Sequence, residues 1–313
     1  MSFFLVISLL TAAVLYNIME NTMKVKKAVI LAAGKGTRFL PYTKAHPKEM
    51  LAVIDRPSLQ LIVEEVVASG IKDVMLVISP EKEDVKRYFT PDAHLERELQ
   101  QAGKLKEVAA LNELNNLCNI TFAYQPVPNG TGRAVALAKE WTCGEPFAVL
   151  NGDDFILNSA NPVTLQLVKA CEETGGSVVG VQTVDKDAIK GYATCKVESV
   201  SNRLYKLDDI IEKPKSDAEI YSLLAPLGRY VFTSDIFDEI DKAPTRNGEV
   251  YLTDAIRSLL RKGSVYAYDF EGTRYDFGDK LGYLKGVTAY ALGTKQYGEQ
   301  YRRFLTELLK EKQ

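Results

Sequence analysis

The twenty residues A-A-G-K-G-T-R-F-L-P-Y-T-K-A-H-P-K-E-M-L, from Ala32 to Leu51, carry more potential chemistry than any other stretch of the chain. They continue the apolar run Ala28-Val29-Ile30-Leu31-Ala32-Ala33, which predicts a buried parallel strand. Glycines just after such a strand, here Gly34 and Gly36, let backbone N–H groups come close to a phosphate or a base. Thr37, Arg38, Lys44 and Lys48 then add one hydroxyl and three cations. A strand that ends in a glycine loop set with cations is suited to holding a polyphosphate. The spacing matches neither common nucleotide signature: GxxxxGK[ST] is absent, and Phe39 stands where GxGxxG needs its third glycine. The plainer alternative is a turn bearing solvated lysines, and the particularity of the whole string argues against it.

Carboxylates with a complementary role lie far downstream. Phe147-Ala148-Val149-Leu150 predicts a strand that emerges at Asn151-Gly152-Asp153-Asp154. Asp153 then sits at the carboxyl end of a sheet strand, where open α/β sheets bind ligands. Asp276, in Arg274-Tyr275-Asp276-Phe277-Gly278, follows another strand. Taken singly, each aspartate suits a turn as well as a metal site, and Asp154 is expected to be a turn or supporting residue rather than a ligand. Glu212-Lys213-Pro214-Lys215 closes a further segment, where the proline bars helix and is expected to keep Lys213 extended. Gln125 ends a strand, and Gly130-Thr131-Gly132-Arg133 opens a helix whose free N–H groups suit an anion.

The elements that must position these residues alternate between strand-like and helix-like, which predicts an α/β fold with a mainly parallel sheet. Strands are expected at 73–78, 120–124, 147–150, 177–181, 193–197, 227–232 and 265–270, the last two flanking a helix at 252–260. Helices are also expected at 58–69, within 81–117, at 133–141, and over about 281–291 and 298–311. No Pro/Gly/Ser-rich linker divides the chain. One domain over 23–295 is therefore expected, in two halves at about 25–155 and 156–290, followed by a C-terminal helix at 296–313.

With 313 residues, 46% apolar and 26% charged, the chain has the composition of an ordinary globular protein. Its formal net charge of −2 argues against nucleic acid as the main partner. Cys118, Cys143, Cys171 and Cys195 lack zinc spacing and are expected to be single core or strand thiols. His46 and His94 are the only histidines, which argues against His-based hydrolysis. Residues 3–15 are almost wholly apolar, but the run is shorter than the ~18 to 20 residues that span a bilayer. It also lacks the positive region of a secretory signal. Met23 precedes Lys24-Val25-Lys26-Lys27, so residues 1–22 are expected to be a mis-started extension rather than a membrane tether.

The twenty-residue string resembles the signature of the sugar-1-phosphate nucleotidyltransferases, and the resemblance runs from about Lys26 to about Ala289. It implies a Rossmann-like, mixed, mainly parallel sheet of the nucleotide-diphospho-sugar transferase type. It also implies attack by a sugar 1-phosphate on the α-phosphorus of a nucleoside triphosphate, which needs charge neutralisation rather than a general base. By that resemblance Arg38, Lys48 and Lys213 are catalytic cations, and Asp153 and Asp276 hold Mg²⁺. Ala32, Ala33, Gly34, Gly36, Thr37, Glu49, Gln125 and Gly130 meet the nucleotide. Gly191, Glu212, Lys213 and Gly228 meet the sugar phosphate. Gln125 suits a uracil edge because an amide both donates and accepts, although Pro126-Val127-Pro128-Asn129 departs from the family's usual stretch.

P-K-E-M-L is most similar to the uridylyl-transferring branch, with UTP and glucose 1-phosphate as substrates. The thymidylyl branch usually carries proline where Glu49 stands. Thymidylyl transfer and a non-catalytic nucleotide-sugar-binding subunit remain the alternatives. The expected setting is a cytoplasmic homo-oligomer, dimer or tetramer, without nucleic acid or membrane partners.

Overall fold

In a computed structural model, which describes residues 24–157 and 160–310, nine strands form one central sheet. From edge to edge they are Asn119–Tyr124, Asp73–Ile78, Lys27–Ala32, Phe147–Asn151, Leu224–Phe232, Ser177–Thr183, Val265–Asp269, Leu204–Glu212 and Ala193–Ser201. Strands Leu224–Phe232 and Leu204–Glu212 pair antiparallel with their neighbours, while the other seven share one direction. The sheet is thus mixed and mainly parallel, as the alternation of elements predicts. The extension expected at residues 1–22 lies outside the described residues.

Strand Lys27–Ala32 lies between two parallel neighbours, so its Val, Ile and Leu side chains meet helices on both faces. Ala28 and Ile30 pack with helices Ser58–Ala68 and Val163–Thr174. Val29 faces the other way, toward helices Thr131–Ala136, Ile236–Lys242 and Leu252–Leu259. This alternation fixes the register and makes the strand ends finish together: Leu31 is level with Asn151, and Gly152 N donates to Leu31 O at 2.9 Å. A Cβ at Gly152 would stand 2.9 Å from that oxygen. Only glycine lets the chain leave the sheet here and deliver Asp153 beside the glycine loop.

Several elements differ from expectation. The helix expected at 133–141 is broken into Thr131–Ala136 and Lys139–Thr142. Segment 81–117 holds three helices, and the Asp92 side chain caps the second of them. Helices Val163–Thr174 and Ile236–Lys242 were not anticipated. Neither was an antiparallel ribbon of Asp154–Leu157 with Thr273–Asp276, whose Phe155 packs on Phe277 in a third, small core. Cys171 and Cys195 are buried, but Cys143 is exposed: it caps a helix end at φ 54° and is not a core thiol.

Arg229, 1% exposed, joins the sheet to helix Ser58–Ala68. Its Nη2 donates to Glu65 Oε2 at 2.7 Å and to the Asp154 carbonyl at 2.8 Å, while Thr164 Oγ1 donates to Glu65 Oε1 at 2.6 Å. Burial alone would raise the Glu65 carboxyl, but the Arg229 guanidinium and the Thr164 hydrogen bonds bring it below the ordinary range. Removing one partner of such a pair leaves a buried charge uncompensated. Arg229→Met should therefore lower the unfolding free energy by about 3–5 kcal/mol, read from the urea midpoint. A change within about 0.5 kcal/mol would show the pair to be dispensable. Because folded Glu65 ionises at lower pH than unfolded glutamate, the pair's contribution is complete above about pH 4.3 and is lost as pH falls through that range.

Candidate active site

The carboxyl ends of the parallel strands carry the site. Beyond strand Lys27–Ala32 the loop folds into three single turns, Thr37–Phe39, Tyr42–Lys44 and Lys48–Met50. Gly36 opens the first in the left-handed region at φ 65°, and Thr43 Oγ1 closes back on its carbonyl at 2.8 Å. That closure returns Lys48 toward Gly34 and into a hydrogen-bonded ion pair with Asp153. Glu49 is 1% exposed and pairs with Lys82 Nζ at 2.6 Å, and the same Nζ also bonds the Ala32 carbonyl. Burial drives the Glu49 carboxyl up and the Lys82 ammonium down, and their mutual attraction offsets this only in part.

A cavity of about 580 Å³ opens beside this loop, lined by Arg38, Asp153, Arg274 and Asp276 and by residues of segment 187–192 that include Gly191. Asp153 and Asp276 come from strands far apart in sequence and converge there. A Cβ on Gly278 would stand 2.8 Å from Asp276 Oδ1, 3.0 Å from Asp153 Oδ2 and 2.5 Å from an Arg38 nitrogen. The two carboxylate oxygens therefore lie less than about 6 Å apart, and only glycine fits between them. Phe277 N donates to the Asp153 carbonyl at 2.8 Å and Gly278 N to Asp276 Oδ1 at 2.8 Å, which fixes both acids.

Burial would raise the Asp153 carboxyl, but Lys48, Arg274 and Arg38 hold it below the usual carboxylate range. Burial would likewise lower the Lys48 ammonium, but Asp153 and Glu49 raise it above the usual lysine range. Among the described residues no group of three or more His, Cys, Asp or Glu side chains forms a metal cage. Two converging carboxylates beside an open cavity fit a hard cation that completes its shell with phosphate oxygens and water.

Asp154 lines the same cavity but is not a turn residue. It starts a strand, is 3% exposed, and its carboxylate pairs with Arg274 and accepts from Asn151 Nδ2 at 2.9 Å. Gly228 leaves room for it: a Cβ there would come within 2.1 Å of Asp154 Oδ2.

A second cavity, of about 480 Å³, is lined by Ala33, Lys35, Thr37, Lys44 and Gln125, among others. Thr37 faces this one and Arg38 the first, so the first loop turn forms the ridge between them. Gln125 differs from expectation, because Nε2 already donates to Asn129 Oδ1 at 2.9 Å and to Gly130 O at 3.1 Å. Both N–H groups of the amide are thus engaged within its own loop. Gly130 adopts φ 104° and backs onto the Val250 carbonyl, 2.4 Å from where its Cβ would be.

Glu212 and Lys213 do not line the first cavity. Glu212 Oε2 accepts from Thr253 Oγ1 at 2.7 Å, and Lys213 Nζ lies 5.9 Å from the Tyr251 ring centre. Lys213 is not extended: φ is 47°, and its N–H is drawn to the Tyr192 carbonyl at 2.9 Å. Arg274, Tyr192, Lys82 and Gly278 are site residues that the sequence reading did not single out. Arg274 had a signal, since it stands two residues before Asp276 in a strand and so shares its face.

Comparison with known proteins identifies the family. A family model described as nucleotidyl transferase matches residues 27–291. A UTP--glucose-1-phosphate uridylyltransferase 2 of Staphylococcus saprophyticus is 44% identical over 286 residues, covering 91% of this chain and 98% of that protein. A solved UTP-bound UGPase from Acinetobacter baumannii superposes with a TM-score of 0.84 at 33% identity, over 91% of this chain and 99% of that one. A UDP-glucose pyrophosphorylase complexed with UDP-glucose gives 0.77 at 31% identity, over 85% and 98%. With a family match across most of its length and paired carboxylates at the strand ends, the chain belongs to the nucleotidyl transferase family.

Proposed function

We propose that the chain transfers a uridylyl group from UTP to glucose 1-phosphate, giving UDP-glucose and pyrophosphate. The observation that carries this reading is the convergence of Asp153, Asp276 and Arg38 on one point of a cavity at the sheet's carboxyl edge. The similar proteins named for this activity supply the substrates. An oxygen of the sugar phosphate forms the new bond to the α-phosphorus, and the bond from that phosphorus to the pyrophosphate oxygen breaks. The nucleophile is already anionic, so no residue need remove a proton.

Arg38 and Lys48, on one loop, would meet the triphosphate on the ridge between the cavities. Gln125 would accept a base N–H from the second cavity, and Lys213 would meet the sugar phosphate from the neighbouring strand end. Asp153 and Asp276 would hold Mg²⁺, which when bound neutralises charge developing on the phosphate oxygens. Residues of about 25–155 would form the nucleotide half and those of about 156–290 the sugar half. Self-association as a dimer or tetramer belongs to the same reading, supported by Leu281, Leu284, Phe304 and Leu309 exposed on the last two helices. A cytoplasmic setting belongs to the same reading; no helix among the described residues is long and apolar enough to cross a membrane.

Pyrophosphate release measured over a grid of nucleoside triphosphates and hexose 1-phosphates with Mg²⁺ tests the whole reading. UTP with glucose 1-phosphate should turn over best. Absence of turnover with every pair would reject the enzyme, whereas preference for dTTP would reject only the base. Arg38→Ala should lower kcat by on the order of 10² to 10³, the usual loss for one donor aimed at developing charge, with little change in melting temperature. An unchanged kcat would make Arg38 a solvated loop residue. Asp153→Asn and Asp276→Asn should each abolish metal-dependent turnover, and the double variant should be no worse than either alone. Additive partial losses would mean that the two acids do not serve one ion.

A further inference from the structure

Arg274 is committed in three directions. Its Nε donates to Asp154 Oδ1 at 2.5 Å, and its Nη2 pairs with that same oxygen. Nη2 also stands 3.8 Å from Asp276 Oδ2, one of the two converging acids. Nη1 turns away from both and donates to the Tyr192 hydroxyl at 3.1 Å, with the guanidinium 5.4 Å from the ring centre.

Tyr192 directly follows the single turn Ile189–Gly191 and lines the large cavity. Its main-chain carbonyl accepts from Lys213 N at 2.9 Å. Lys213 sits at φ 47°, a region where side chains bearing a Cβ are uncommon and need support from their surroundings. One residue therefore grips the acid wall through its hydroxyl and the strained lysine through its backbone.

We propose that Tyr192 is a positioning residue: tied to Arg274, it holds Lys213 in register with the Asp153–Asp276 wall and so sets the affinity for the sugar phosphate. A tyrosine present only for packing would have no use for a charged donor on its hydroxyl, and phenylalanine would serve equally well. The role rests on the proposed function, because Lys213 must have a sugar phosphate to meet.

Tyr192→Phe removes the hydroxyl while keeping the ring over Arg274 and the carbonyl to Lys213. A lost hydrogen bond to a charged group is expected to raise KM for glucose 1-phosphate about ten-fold. UTP affinity, measured by calorimetry without sugar phosphate, and melting temperature should stay close to wild type. Arg274→Lys cannot reach Asp154 and Tyr192 together. If the two residues act through one contact, adding Tyr192→Phe to Arg274→Lys should cost little more in KM.

In an active wild type, an unchanged glucose 1-phosphate KM in Tyr192→Phe would overturn the role of Tyr192 alone. Equal losses of UTP affinity and melting temperature would overturn it as well, by showing a structural part only. A wild type inactive with UTP and glucose 1-phosphate would overturn both the role and the substrate reading.

Discussion

Two carboxylates brought together at a half-buried sheet edge repel each other, and the rest of the structure is arranged around offsetting that repulsion. Among the described residues neither acid pairs with a histidine, since His46 pairs with Asp84 and His94 with Glu98. Each is instead faced by cations: Lys48 on Asp153, with Arg38 and Arg274 on Asp276. These groups come from three distant parts of the chain. Only a sheet whose strand ends finish in register brings them within a few ångström. The close approach is achieved by leaving side chains out. Gly152 lets the chain turn off the sheet against Leu31, Gly278 leaves the gap between the acids, and Gly228 leaves the gap for Asp154. A methyl group at any of the three would push apart groups whose mutual distance is the point of the site.

Behind the cations that face the two acids lies a second layer that does not line the carboxylate cavity. Lys82 and Glu49 tie the third turn of the glycine loop to the end of strand Lys27–Ala32, and Arg229 and Glu65 tie the sheet to the helix that follows the loop. The two pairs answer burial differently. Arg229 and Thr164 together keep Glu65 firmly ionised, whereas Glu49 and Lys82 are both pressed toward neutrality. Their hydrogen bonds hold the third turn, which also carries Lys48, against the end of the strand. Glu49 thus has a physical task within the loop, whatever its part in base selection.

The layered α/β plan was legible because buried strands advertise themselves as short runs of Val, Ile, Leu and Ala, and eight of the nine sheet strands are expected from the sequence. Strand Leu204–Glu212 was half hidden, since its polar residues lie toward the edge of the sheet and its pattern is broken by a bulge at Leu207/Asp209. Ribbon Asp154–Leu157 with Thr273–Asp276 pairs residues more than a hundred positions apart, and no local pattern announces that. The same distance explains the site. Asp153 and Asp276 could each be placed at a strand end, yet their convergence needs the fold. Lys213 was misjudged for a related reason: Pro214 restricts it locally, but a carbonyl twenty-one residues earlier decides which conformation it takes.

The scarcity of histidine then follows from the charge pattern. His46 lies exposed with Nδ1 3.0 Å from Asp84 Oδ2, His94 is exposed on a helix, and neither lines the carboxylate cavity. A site built to abstract a proton near neutral pH would want a group that titrates there. Here the nearest acid is driven down and the nearest base driven up by one another, Asp153 against Lys48. Both shifts move titration away from neutrality, so this pair presents the same charges to an incoming phosphate across the neutral range. That constancy suits a reaction whose nucleophile arrives already ionised. It leaves orientation, not proton transfer, as the part the protein has to supply.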